Sequence, residues 1–179
     1  MAPTASSPVR VIGFTAAERR AAESSPIPGD GLLHPLALLA IGILIVNDHA
    51  LKAAWPGVVT GKLSDVAGLL FFPLFLQGVW EVGLRALRRP AKPSRGVLIS
   101  VISFTAVAFA AIKLIPAATD AAESLLGTVQ LGIGQLLSAT SQAGPLAVQI
   151  TADPSDLVAL PMLALAYAIG IRRCRVRTQ

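Results

Sequence analysis

Very little of this chain is suited to facing water, and that shortage is the first constraint on what it is. Only 14% of its 179 residues are charged, while 54% are hydrophobic. One compact soluble core would lack the polar residues needed to cover it. Cysteine is almost absent, and a lone Cys174 excludes an internal disulfide framework. Lying in an arginine-rich tail, it reads as a free thiol in a reducing compartment, with acylation as the alternative. There are two histidines, His34 and His49, and no His-Glu-x-x-His, so the zinc-protease signature is missing. No Gly-x-Ser-x-Gly elbow exists, which leaves a serine hydrolase without support. Gly132-x-Gly134 lacks the third glycine and the setting of a dinucleotide site. The first thirty residues hold no long apolar run, so no cleavable signal peptide is expected and the first span would itself direct insertion.

What the chain does have is four long apolar runs, at 32–51, 66–84, 96–112 and 157–171. A helix needs about 20 apolar residues to cross a hydrocarbon core about 30 Å thick. The first two runs meet that length, the third does with Lys113 snorkelling, and the short fourth does with Asp156 and Arg172 at the interfaces. The runs are continuous and far too long for barrel strands. The expected fold is an all-α membrane protein with four transmembrane helices.

Charge sorts between the connections. Arg10, Arg19, Arg20, Arg85, Arg88, Arg89, Lys92, Arg95, Arg172, Arg173, Arg175 and Arg177 lie on one side, opposed only by Glu18, Glu23, Asp30 and Glu81. The other side holds Lys52, Lys62 and Lys113 against Asp48, Asp65, Asp120, Glu123, Asp153 and Asp156. Basic loops stay cytoplasmic, so both termini are expected inside and segments 52–65 and 113–156 outside. The net +5 therefore reads as an orientation signal that favours anionic lipid, and not as a nucleic-acid patch. A bacterial plasma membrane is the expected location. The partners expected are membrane lipids, other membrane subunits or a second copy of the chain.

The pattern divides the chain into a disordered cytoplasmic tail at 1–30, a transmembrane domain at 31–171 and a basic tail at 172–179. Within the first tail, Thr15 and Glu18 suit a capping box for a short helix at 15–23. The first span should run from Leu32 to about Ala54, with His34-Pro35 at its start and Trp55-Pro56-Gly57 as its stop. The second should start at Ser64-Asp65 and carry Pro73 as a kink. The third should run from Gly96 to Pro116, and the fourth should start at Asp153-Pro154-Ser155-Asp156. The long outer connection, 117–152, contains Leu125, Val129, Ile133, Leu136 and Leu137 at helical spacing. That favours an interfacial amphipathic helix over a short strand at 129–133. Thr60-x-x-x-Ser64-Asp65 is echoed by Thr151-x-x-x-Ser155-Asp156, which is compatible with two parallel two-helix repeats.

The chemistry-bearing residues gather at the outer ends of the spans: Asp48, His49, Lys52, Lys62, Asp65, Lys113, Asp153 and Asp156. Asp48 and Lys52 are four apart on a helix and can pair. Capping by Asp65, Asp153 and Asp156, with the lysines snorkelling, would explain much of the cluster without a site. Against that stands its density, since charges at one depth shift one another. His49 with Asp48, Asp65, Asp153 or Asp156 could ligate zinc or manganese, though no ligand spacing is diagnostic. Lys52 and Lys113 could instead hold a phosphate or carboxylate. Toward the inner side, Gln77 suits an interhelical hydrogen bond and Glu81 an ion pair with Arg85.

Two functions stay open at this point. One is a small non-enzymatic membrane protein whose outward charged cup binds an ion, a lipid headgroup or a partner subunit. The other is a membrane-embedded enzyme using the Asp, His and Lys cluster on a lipid-linked substrate at the outer leaflet. A proton- or ion-coupled carrier is a third and weaker reading, because no acid sits mid-membrane. The sequence leaves the cofactor unidentified.

Overall fold

The computed structural model describes residues 27–55, 57–137 and 150–175. The expected tail helix at 15–23 lies outside them, as do Arg177 and the side chains of Leu136 and Leu137. Among the described residues all regular structure is helical. Four of the helices are long and apolar enough to cross a membrane, which is compatible with a multi-pass membrane protein.

Helix α1 (Pro35–Ala54) follows a single 3-10 turn, Asp30–Leu33. His34 caps it: the ring Nδ1 accepts the Leu36 N–H at 3.2 Å. Pro35 takes the first helical position, where its missing donor leaves nothing unpaired. Near its far end the helix widens into a π-turn over Asn47–Leu51.

Trp55 leaves the helical conformation at the end of α1, and α2 (Val58–Ala86) begins after Gly57. This helix starts six residues before the expected Ser64. The reason is local: the Thr60 hydroxyl accepts the Gly57 N–H at 3.2 Å and donates to the Gly57 carbonyl at 2.9 Å. That supplies the cap, so Thr60-Gly61-Lys62-Leu63 is helix and not loop. Pro73 lies within α2 and is buried.

Helix α3 (Arg95–Leu114) ends one residue before α4 (Pro116–Leu137). Ile115 between them is extended, as a residue preceding proline must be. Thr119 on α4 donates back to the Ile112 carbonyl at 2.6 Å, satisfying the end of α3. The amphipathic segment is therefore helical throughout and longer than expected, and the strand reading at 129–133 fails. Leu125, Leu126, Val129 and Ile133 on α4 are exposed.

The fourth span, Pro154–Cys174, is composite. A 3-10 turn, Pro154–Ala159, leads through Pro161 into α5 (Met162–Arg175). Pro161 has no N–H to continue a regular ladder, which accounts for the division.

Helix α2 is central and packs against α1, α3 and α5, while α3 also meets α5. Alanines line the closest approaches: Ala37 and Ala40 of α1, Ala67 of α2 and Ala166 of α5 sit in one cluster with Leu70, Leu74 and Ile169. Small side chains let helix axes come close where lipid supplies no hydrophobic drive. A second cluster of Leu69, Ala159 and Leu163 joins α2 to the fourth span and α3.

Burial is inverted relative to a soluble protein. Asn47, Gln77, Glu81, Lys113 and Asp156 are buried, while Leu38, Leu39, Ile45, Phe104 and Val107 are exposed. Such an apolar perimeter suits a hydrocarbon surround.

Candidate functional site

The rim site grows from the first two turns of α2. Lys62 and Asp65 are three residues apart, so they share one face of that helix. Lys113 lies in the last turn of α3 and reaches the same face. Asp156 arrives on the 3-10 turn of the fourth span, held at that depth by Asp153, which accepts the Ser155 N–H at 2.8 Å.

Lys113 is the hub. Its Nζ lies 2.7 Å from Asp156 Oδ2 and 3.1 Å from Asp65 Oδ2, and donates to the Thr151 carbonyl at 3.3 Å. The Asp156 and Thr151 contacts are hydrogen bonds, whereas Asp65 is held as an ion pair and its Oδ2 accepts no hydrogen bond. The Phe109 ring lies beneath it, 5.6 Å from Nζ to the centroid. The other carboxylate oxygen of Asp156 accepts from Lys62 Nζ at 2.8 Å, and Lys62 also donates to Ser155 Oγ at 2.7 Å. The result is a linear chain, Lys62–Asp156–Lys113–Asp65, with two cations and two anions. Side-chain exposure falls from 29% at Lys62 to 8% at Lys113, so Lys62 is the mouth.

Four of the eight predicted residues therefore come together, and four do not. Asp48 and Lys52 pair with each other at 2.7 Å on the exposed end of α1. His49 Nδ1 bonds the Ile45 carbonyl of its own helix at 3.0 Å. Asp153 serves as a cap, and the Ser155 N–H beside it holds its carboxyl below the usual carboxylate range. The capping account is thus right for Asp153. It fails for Asp65, which sits inside α2, and for Asp156, whose oxygens are both taken by lysines.

Metal ligation loses its geometric basis. Among the described residues no three His, Cys, Asp or Glu side chains group closely enough to hold an ion. The proposed Lys52 and Lys113 clamp also dissolves, because Lys62 takes the place assigned to Lys52.

Sequence reasoning gave no role to Asn47, which precedes Asp48 and His49. It is fully buried, and its amide donates to the Thr60 carbonyl and to Ser64 Oγ, each at 2.7 Å. Ser64 in turn donates to Asp48 Oδ1 at 3.1 Å. These bonds tie α1 to α2 beside the ionic chain. An amide that directly follows the apolar stretch 35–46 was the available signal.

A second buried ionic group lies at the opposite end of α2. Glu81 is 2% exposed, and its carboxylate accepts the Gly29 N–H at 2.9 Å, the Gln77 amide at 3.1 Å and the Arg173 guanidinium at 3.1 Å. Arg173 also pairs with Asp30. Glu81 thus turns into the bundle toward α5, whereas the sequence pointed to Arg85 on its own helix. Proximity in sequence favoured the wrong partner. No family model, curated protein or solved structure matches the chain. The reading of the site rests on its geometry alone.

Proposed function

We propose that this chain is a small multi-pass protein of a bacterial plasma membrane, with both termini cytoplasmic, that binds an anionic group at its outward rim through Lys62. The observation that carries this reading is the exposure of Lys62, 29% against 10%, 8% and 17% for the side chains of Asp156, Lys113 and Asp65 behind it. Only the outermost cation is open, and the three members behind it hold it in place. A phosphate or carboxylate can share Lys62 with Asp156 without opening the buried pair.

Binding is favoured over catalysis because both carboxylates are already engaged by Lys113. General acid–base work needs a group free to exchange its proton with substrate. The anion can come from a lipid headgroup or from an acidic segment of a partner subunit, and both present the same chemistry.

The test compares the wild-type chain with Lys62→Gln in detergent, with melting temperature followed against inorganic phosphate and acetate at constant ionic strength. Ligand binding to the folded state should raise the wild-type value and leave the variant unmoved. Nanodiscs of phosphatidylglycerol against phosphatidylcholine separate a headgroup from a soluble anion. Identical responses of the two proteins in every arm would remove the reading.

A further inference from the structure

A large open concavity has no part in the rim site. It lies between α2 and α3, toward the arginine-bearing end, with a volume of about 1010 Å³. Leu76, Val79 and Trp80 on α2 face Val97, Val101 and Phe104 on α3, while Arg89 and Ser94 stand at its head. We propose that this crevice is a binding site for one anionic phospholipid.

The dimensions agree with a single leaflet. From Leu76 to Leu87, the residue that caps the end of α2, the crevice runs eleven residues, about 16 Å at 1.5 Å each. That is close to half of a hydrocarbon core about 30 Å thick. Two glycines form its walls. A Cβ on Gly83 would meet nothing within 4 Å, and one on Gly96 would meet only Ser94 Oγ at 3.7 Å. The missing side chains leave the space an acyl chain fills.

The segment that joins α2 to α3 at the head of the crevice is basic. It and the helix ends beside it carry Arg85, Arg88, Arg89, Lys92 and Arg95, and no acidic residue occurs between Glu81 and Asp120. Arg89 lines the opening itself and offers a fork of donors matched to a phosphodiester. Ser94 lines the crevice and makes no side-chain cap bond to α3, so its hydroxyl does not satisfy the first N–H groups of that helix. A neutral or zwitterionic lipid satisfies the apolar walls but leaves these charges uncompensated. Basic pockets between spans at the cytoplasmic surface select anionic headgroups for this reason.

Trp80 forms part of the wall, and the only other tryptophan is Trp55. The full-length protein carrying Trp55→Phe is therefore reconstituted in vesicles with acyl-brominated phosphatidylglycerol or phosphatidylcholine, and quenching of Trp80 is measured. Brominated phosphatidylglycerol should occupy the site with roughly fivefold preference. Arg89→Gln should bring the two lipids to parity. So should Gly83→Leu, which fills the crevice from a position where added atoms meet open space. Lys62→Gln, at the other end of the bundle, should leave the preference intact, so this proposal and the rim reading fail separately. Parity in the parent protein overturns the proposal, as does a preference that survives both Arg89→Gln and Gly83→Leu. So does a dimer in vesicles that Gly83→Leu dissociates, since a second copy would then be the occupant.

Discussion

At the residue scale, Lys113 decides whether the rim holds together. Its ammonium is the common partner of Asp65 and Asp156, and removing it leaves two carboxylates facing each other in a largely buried space. Truncating one partner of a buried pair costs about 3–5 kcal/mol, because the remaining charge loses its compensation. Lys113→Met should therefore lower unfolding stability by that order in a denaturant titration in micelles. Adding Asp156→Asn to it should return part of the loss. Lys62→Gln should cost about 1 kcal/mol or less, since Lys62 is the more open cation. Equal losses at the two lysines would contradict the hub assignment. The same comparison explains which candidates sequence could find. Asp65, Lys113 and Asp156 were legible because charge beside apolar runs is expensive and must be paired. Their separation from His49 and Lys52 was not legible. Residues 35–46 are apolar on every side, so no hydrophobic face indicates which way the end of α1 turns.

At the element scale, helix boundaries were read from side-chain caps, and this succeeded where the cap is a single aspartate. Asp153 works as read. Ser64-Asp65 misled because Thr60, four residues earlier, caps α2 with a hydroxyl that also satisfies Gly57. The other end of α2 stores a small strain. Arg88 adopts φ 55, while Arg88 N–H bonds the Arg85 carbonyl and Arg89 N–H the Leu84 carbonyl. This is the Schellman arrangement, which ordinarily places glycine at the left-handed position. A left-handed non-glycine residue costs about 1–2 kcal/mol, so Arg88→Gly should raise unfolding stability by about 1 kcal/mol in the same micelle titration. The opposite sign belongs to Gly170 on α5. A Cβ there would lie 2.5 Å from Leu98 Cδ1, and Leu98 is fully buried with no room to retreat. Gly170→Ala should cost about 1–3 kcal/mol, the range for overpacking. A stabilising Gly170→Ala would mean that α3 and α5 pack less closely than described.

At the scale of the whole molecule, α2 acts as a post with an ionic network at each end. Asp65 and Glu81 are sixteen residues apart, about 24 Å along the axis, with an apolar core between them. One network joins α2 to α3 and the start of the fourth span, and the other joins α2 to the Asp30 segment and the end of α5. The four spans were legible because length and hydropathy alone define them. The proposed duplication remains an echo: Asp65 and Asp156 both meet Lys113, yet Lys52, the expected counterpart of Lys113, pairs locally with Asp48. Charge bears on orientation: in sequence, the two tails and the connection between the second and third spans hold twelve cations opposed by four carboxylates. If that excess holds its end in the cytoplasm, the two networks face different compartments. In intact cells with Cys174→Ser as background, a membrane-impermeant maleimide should label Gly61→Cys, at the exposed start of α2, and spare Lys92→Cys until the cells are opened. The reverse pattern would place the Lys62 mouth in the cytosol and exchange the compartments of the two proposed sites. Labelling of both positions from outside would mean that α2 does not cross the membrane at all.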